Sequence, residues 1–236
     1  MLERGTEAFG YYGKLPGWGD FISHSLTATV IDPLDHWLQG MIMASRADLG
    51  RRWEDAYYTA PLWRFALPAG LCGSAPFAGV LMPSVDRVGR QFPFCIGATV
   101  AAPDAASAHR AMAPLWPTLE DTALAMLDDG ATRDWLDGRI DALSAPSTPA
   151  PLVTRRRAKA VLAISDHGAI GDALSADWVA AAGYADPAVW SCLWQGGERL
   201  MVCDGWPSDA DAATLLDLEG EGWGTAAPML LSEEAL

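Results

Sequence analysis

Residues 65–85 carry no charged side chain over about the length of a membrane span, which makes them the tightest constraint on the fold. Pro68, Pro76 and Pro83 recur through the stretch together with Gly70, Gly73 and Gly79. A spanning helix would lose backbone hydrogen bonds and clash at each interior proline. Short buried strands joined by turns satisfy the same sequence. Residues 63–67, 77–82 and 92–100 read as such strands, bounded by Gly and Pro, with 84–90 as a hairpin loop between the last two.

Helical spacing surrounds this sheet. Leu34, Trp37, Leu38, Met41, Ile42, Ser45 and Leu49 share one helix face. The spacing predicts a helix from Asp32, with Asp32 as cap, Pro33 at the first helical position and Gly50 as the stop. Residues 9–14 predict a strand, 15–20 a turn, and 53–58 a further helical turn. Residues 112–127 predict a helix that Pro114 and Pro117 divide or delay, and 131–143 a shorter one. Residues 144–151 hold three prolines in a surface loop. Beyond it a strand is expected near 160–164, a short helix near 175–182, a hairpin of 189–194 with 200–203, and a last helix over 208–218. Helices alternate with strands, but two hairpins interrupt the alternation. The prediction is a layered α/β domain with a mixed, partly antiparallel sheet. The strands after the loop are too few to close a second core, so residues 1–236 are expected to be one domain.

Composition narrows the function. The 236 residues are 50% hydrophobic and 19% charged, enough apolar material for a sizeable core. Net charge is −14, with Lys14 and Lys159 as the lysines. Such a surface repels nucleic acid and anionic lipid, which bind through clustered positive charge. Residues 1–7 lack an apolar run behind a positive segment, so no secretory signal is expected and the chain is placed in the cytoplasm. Cys72, Cys95, Cys192 and Cys203 form no Cys-x-x-Cys pair and His24, His36, His109 and His167 are far apart, so neither a zinc site nor any cofactor is expected. The cysteines read as small buried hydrophobes in a reducing compartment.

Catalytic motifs are missing. Gly13-Lys14 is followed by Leu15, where a phosphate loop needs Ser or Thr for magnesium. No Gly-x-Ser-x-Gly elbow and no His-Glu-x-x-His sequence occurs. Asp20 and Asp86 could meet as a carboxylate pair, although acidic loop residues usually form turns or ion pairs. Trp37, Trp53, Trp63, Trp116 and Trp190 read as core. Trp18, Trp206 and Trp223 sit in Gly- or Pro-flanked loops, where a tryptophan either anchors a partner or folds back over the core. Arg155, Arg156, Arg157 and Lys159 read as a solvated edge.

Three stretches carry a family resemblance. Tyr12-Gly13-Lys14-Leu15-Pro16-Gly17-Trp18-Gly19-Asp20-Phe21 resembles the N-terminal signature of TagF (also called ImpM) proteins, accessory proteins of bacterial type VI secretion. Trp63-Arg64-Phe65 with Gly70-Leu71-Cys72-Gly73 is similar to the family's middle strand and turn. The stretch from Gly79 through Ser84, Asp86, Arg87 and Arg90 to Pro93 resembles its hallmark nearly in full. Gly17 and Trp18 stand where family members commonly carry a small residue and then arginine. The resemblance implies a three-layer α/β/α sandwich and a non-enzymatic repressor of secretion that acts after synthesis. It also implies a partner, the system's forkhead-associated scaffold protein. A structural or assembly subunit and a hydrolase using Asp20 and Asp86 are the alternatives.

Lys14, Trp18, Asp20, Phe21, Ser84, Asp86, Arg87 and Arg90 are the candidate site. Their two loops, 13–21 and 84–90, hold charges that apolar strands cannot satisfy. One expectation places the loops side by side, with Asp20 bonding Arg87, Arg90 or a backbone N–H of the second loop. The other has each loop satisfy itself, with Asp86 paired to Arg90.

Overall fold

The structure, a computed structural model, describes residues 8–146, 153–157, 160–164, 183–184, 186–195 and 197–223. The helix expected near 175–182 and most of the proline-rich loop lie outside the described residues. The central sheet contains β1 (Gly10–Gly13), β2 (Ile22–His24), β3 (Trp63–Leu67), β4 (Phe77–Met82) and β5 (Phe94–Thr99). After β6 (Val153–Arg157) and β7 (Ala160–Ile164), which pair as a separate ribbon, β8 (Ala188–Trp194) and β9 (Gly197–Cys203) complete it. The order is β2-β1-β5-β4-β3-β8-β9.

Every pairing in this seven-stranded sheet is antiparallel, which corrects the expected mixed sheet. Four of the pairings join strands consecutive in sequence, β1–β2, β3–β4, β4–β5 and β8–β9, where connections without a crossover helix force the antiparallel sense. Helices do separate β2 from β3 and β5 from β8, but their chains return antiparallel to a neighbour. Alternation of helix and strand along the sequence therefore overstated the parallel content.

Helices cover both faces. Along β4, Phe77 and Leu81 pack on one side with α1 (Ala28–Leu49), α2 (Trp53–Thr59) and α6 (Ala212–Leu216). Ala78, Val80 and Met82 pack on the other with α3 (Ala105–Ala111), α4 (Trp116–Ala125) and α5 (Arg133–Asp141). All six residues of β4 are buried, which explains its unbroken apolar run. Between β4 and β5, Gly79 faces Gly97. A Cβ on Gly79 would run into the backbone of Ile96, and one on Gly97 would meet the Phe77 ring at 2.7 Å. The paired glycines let two strands and an aromatic layer close up.

α1 buries the expected stripe, with Val30 added, and ends at Gly50, whose φ is 53°. Its start is corrected. Thr27 is the cap, and Pro33 lies inside the helix, where it removes one backbone donor. The N–H groups of Val30 and Ile31 donate to the Thr27 carbonyl, so the first turn forms before Pro33 and Val30 secures it in the core. Asp35 accepts from the Tyr12 hydroxyl and the Gln39 amide, each at 2.6 Å. The loop tryptophans fold back. Trp206 stacks on Trp37 at 4.9 Å, Trp223 lies over Trp63 at 6.2 Å, and Trp18 packs against the α3–α5 core.

Candidate functional site

Loops 13–21 and 84–90 meet where β1 ends and β5 begins, at one end of the strands, and a buried carboxylate organises the meeting. Asp86 has a fully buried side chain. Its Oδ1 accepts from the backbone N–H groups of Val88 at 3.0 Å and Arg90 at 2.9 Å. Its Oδ2 accepts from the Arg90 guanidinium at 2.6 Å and the Lys14 ammonium at 3.1 Å. Burial alone would raise the carboxyl's pKa. The hydrogen bonds from Arg90 N–H, Lys14, the Arg90 guanidinium and Val88 N–H outweigh it and hold the group well below the usual carboxylate range.

The turn that presents these donors is set by backbone bonds. Gly89 N–H donates to the Asp86 carbonyl at 2.9 Å, and Gly89 takes a φ of 84° that other residues resist. Ser84 is clamped below it. The Tyr57 hydroxyl donates to the Ser84 carbonyl at 2.8 Å and accepts from its N–H at 3.1 Å. The Ser84 hydroxyl itself is buried with no partner among the described residues.

The first loop reaches the second through carbonyls. Arg87 N–H donates to the Trp18 carbonyl at 2.8 Å, and the Arg90 guanidinium donates to the Gly19 carbonyl at 2.7 Å. The loops do lie side by side, but Asp20 forms no ion pair with Arg87 or Arg90. Its exposed carboxylate accepts from the next N–H, that of Phe21, at 2.8 Å. The expected Asp20 bond is thus corrected, and the Asp86–Arg90 pairing is the one present. The reason is burial: Asp86 is out of water and must be satisfied, whereas Asp20 is solvated and gains little by pairing.

The Lys14–Asp86 bond is the contact that sequence reasoning missed. Lys14 is one of two lysines and closes an apolar strand, and a lysine buried there requires a counter-charge. Phe21 joins the same cluster. It stacks on Tyr12 at 5.6 Å, meets Phe92 edge-on at 4.8 Å and carries the Lys14 ammonium 4.9 Å above its ring. Outside the loops, Arg46 on α1 lies 4.1 Å over Trp53 and donates to Gln91 at 3.1 Å.

Elsewhere the chemistry is quiet. Burial pushes the Cys72 thiol up to about 12, so it is no ready nucleophile. His109 is driven the other way, by burial and by the nearby Arg64, to about 4, and its Nε2 lies 2.9 Å from the Ser191 hydroxyl. No group of three or more metal-ligating side chains occurs among the described residues. No helix among them is long and apolar enough to cross a membrane.

A seven-stranded antiparallel sheet packed with helices, with two clamped loops meeting at the ends of its strands, defines a mixed α/β protein. The family model described as the TagF N-terminal domain, type VI secretion system-associated, matches residues 10–143. The crystal structure of PA0076 from Pseudomonas aeruginosa PAO1 aligns with a TM-score of 0.73 at 32% identity, covering 91% of this chain and 96% of that one. The comparison with curated proteins found no significant match. The chain belongs to the TagF family.

Proposed function

We propose that this chain restrains a type VI secretion system after its components are made, by binding one of them and not by catalysis. The favoured partner is the forkhead-associated scaffold protein, met in the cytoplasm. Family membership supplies the system, and helices on both faces of the sheet support the three-layer α/β/α arrangement on which we place the site.

The observation that carries the mode of action is the state of Asp86. It is the acid of the longest signature stretch, and its two oxygens hold four donors in a fully buried side chain. A hydrolase would need that carboxylate open to water and substrate beside Asp20. Calorimetric titration of the purified chain into the purified scaffold tests the reading. The expected result is saturable binding in the micromolar range or tighter, with no phosphoester or nucleotide hydrolysis above buffer. Hydrolysis that disappears in Asp86→Ala would overturn it. Recovery in fixed stoichiometry with baseplate or sheath proteins would instead favour an assembly subunit.

A further inference from the structure

The two-loop site displays exposed arginines on a chain that is acidic as a whole. The chain has 30 acidic residues against 16 basic ones. Here Arg87 and Arg90 are exposed beside Asp20, Lys14 and Asp86 are paired and buried beneath them, and Asp35 accepts from the Tyr12 hydroxyl behind Phe21. Asp86 is buried and already neutralised by Lys14 and Arg90. Arg87 is exposed and forms no ion pair with any described residue.

The shape is specific. The Arg90 guanidinium bonds the Gly19 carbonyl at 2.7 Å. The Arg87 guanidinium approaches the same residue, its Nη2 3.1 Å from where a Gly19 Cβ would stand. Both guanidinium groups therefore come to the one glycine: Arg90 is oriented by the Asp86 carboxylate and the Gly19 carbonyl, and Arg87 is anchored through its backbone N–H to the Trp18 carbonyl. Both keep N–H donors free, and a guanidinium fork matches the two oxygens of a carboxylate. Apolar surface adjoins the fork: Val88 at the turn tip is 70% exposed and Phe21 is 41% exposed. Arginine and aromatic groups around a small apolar contact are the usual composition of a protein-binding hot spot.

We infer that this site docks an acidic segment of a partner protein, one carboxylate seated on Arg87 and Arg90 and a neighbouring apolar side chain against Val88 and Phe21. The inference deepens the proposed function by naming the chemistry that its partner must present. A nucleic acid or an anionic membrane would meet the −14 charge of the whole chain. A short acidic segment meets this site alone.

The test is a nuclear magnetic resonance titration with a capped peptide of alternating glutamate and leucine, against the same peptide with glutamine for glutamate. The acidic peptide is expected to shift backbone signals of residues 17–21 and 86–91, and to bind at least about threefold more weakly at 0.15 M than at 0.01 M ionic strength. Arg87→Glu should weaken it at least about tenfold and Val88→Asp measurably, while Arg139→Glu on α5 leaves it unchanged. Thermal melts of all three variants should match the parent. Shifts that are absent from the loops, or equal with the glutamine peptide, would overturn the inference, as would an Arg87→Glu variant that binds normally. Repression of secretion in cells separates the two claims. A chain that binds the peptide at the loops without repressing sinks the regulator reading alone, and one that represses fully as Arg87→Glu sinks this site alone.

Discussion

At the residue scale, Asp86 decides how the signature loop responds to acid. Its folded-state carboxyl lies below the usual range, so its stabilisation is complete above the unfolded value, near pH 4. It is lost as pH falls further, toward the folded value. Asp86→Asn should therefore be less stable than the parent by a constant margin from pH 5 to 8, with the margin shrinking below about pH 4. Urea unfolding at a series of pH values measures it. His109 acts in a separate window. Its pKa falls to about 4 from the ordinary 6.5, so folding excludes a proton that the unfolded chain binds between those values. Stability should drop as pH falls from about 6.5 to 4, by on the order of 2–3 kcal/mol, and His109→Gln should remove that drop. That the two loops lie together was legible, because charges stranded among apolar strands need partners. Their partners were not. Which carboxylate is buried depends on the approach of residues 72 apart, Lys14 and Asp86, and nothing local encodes it.

At the element scale, legibility followed the length and contrast of each pattern. β3 and β4 begin and end where the turn residues put them, and α1 shows its apolar stripe as spaced. β2 went unread because Ile22-Ser23-His24 is too short to show alternation. α3 went unread because its alanines and Ser107 bury a face without large apolar side chains. The arginine run at 155–157 belongs to β6, which pairs with β7, a strand that its charged composition did not signal. The glycine pair in β4 and β5 yields a prediction at this scale. Gly79→Ala would push a methyl into the Ile96 backbone, and neither strand can move without disturbing both cores. The expected cost is at least about 2 kcal/mol, read from the shift in chemical-denaturation midpoint. Gly130→Ala, where a Cβ meets open space, is the control and should shift it little.

At the scale of the whole molecule, the α/β class and the family could be read from the chain, while the all-antiparallel sheet could not. The longest motif folds into a turn that is locked from within and displays arginines outward. The central claim is that this contact restrains secretion after synthesis. The most direct measurement is effector secretion per cell as the chain is induced in steps, with the amounts of the secretion proteins followed in parallel. The account predicts that secretion falls with dose while those amounts stay constant, because a bound component is withdrawn without being destroyed. Secretion unchanged at high levels of folded chain would contradict it.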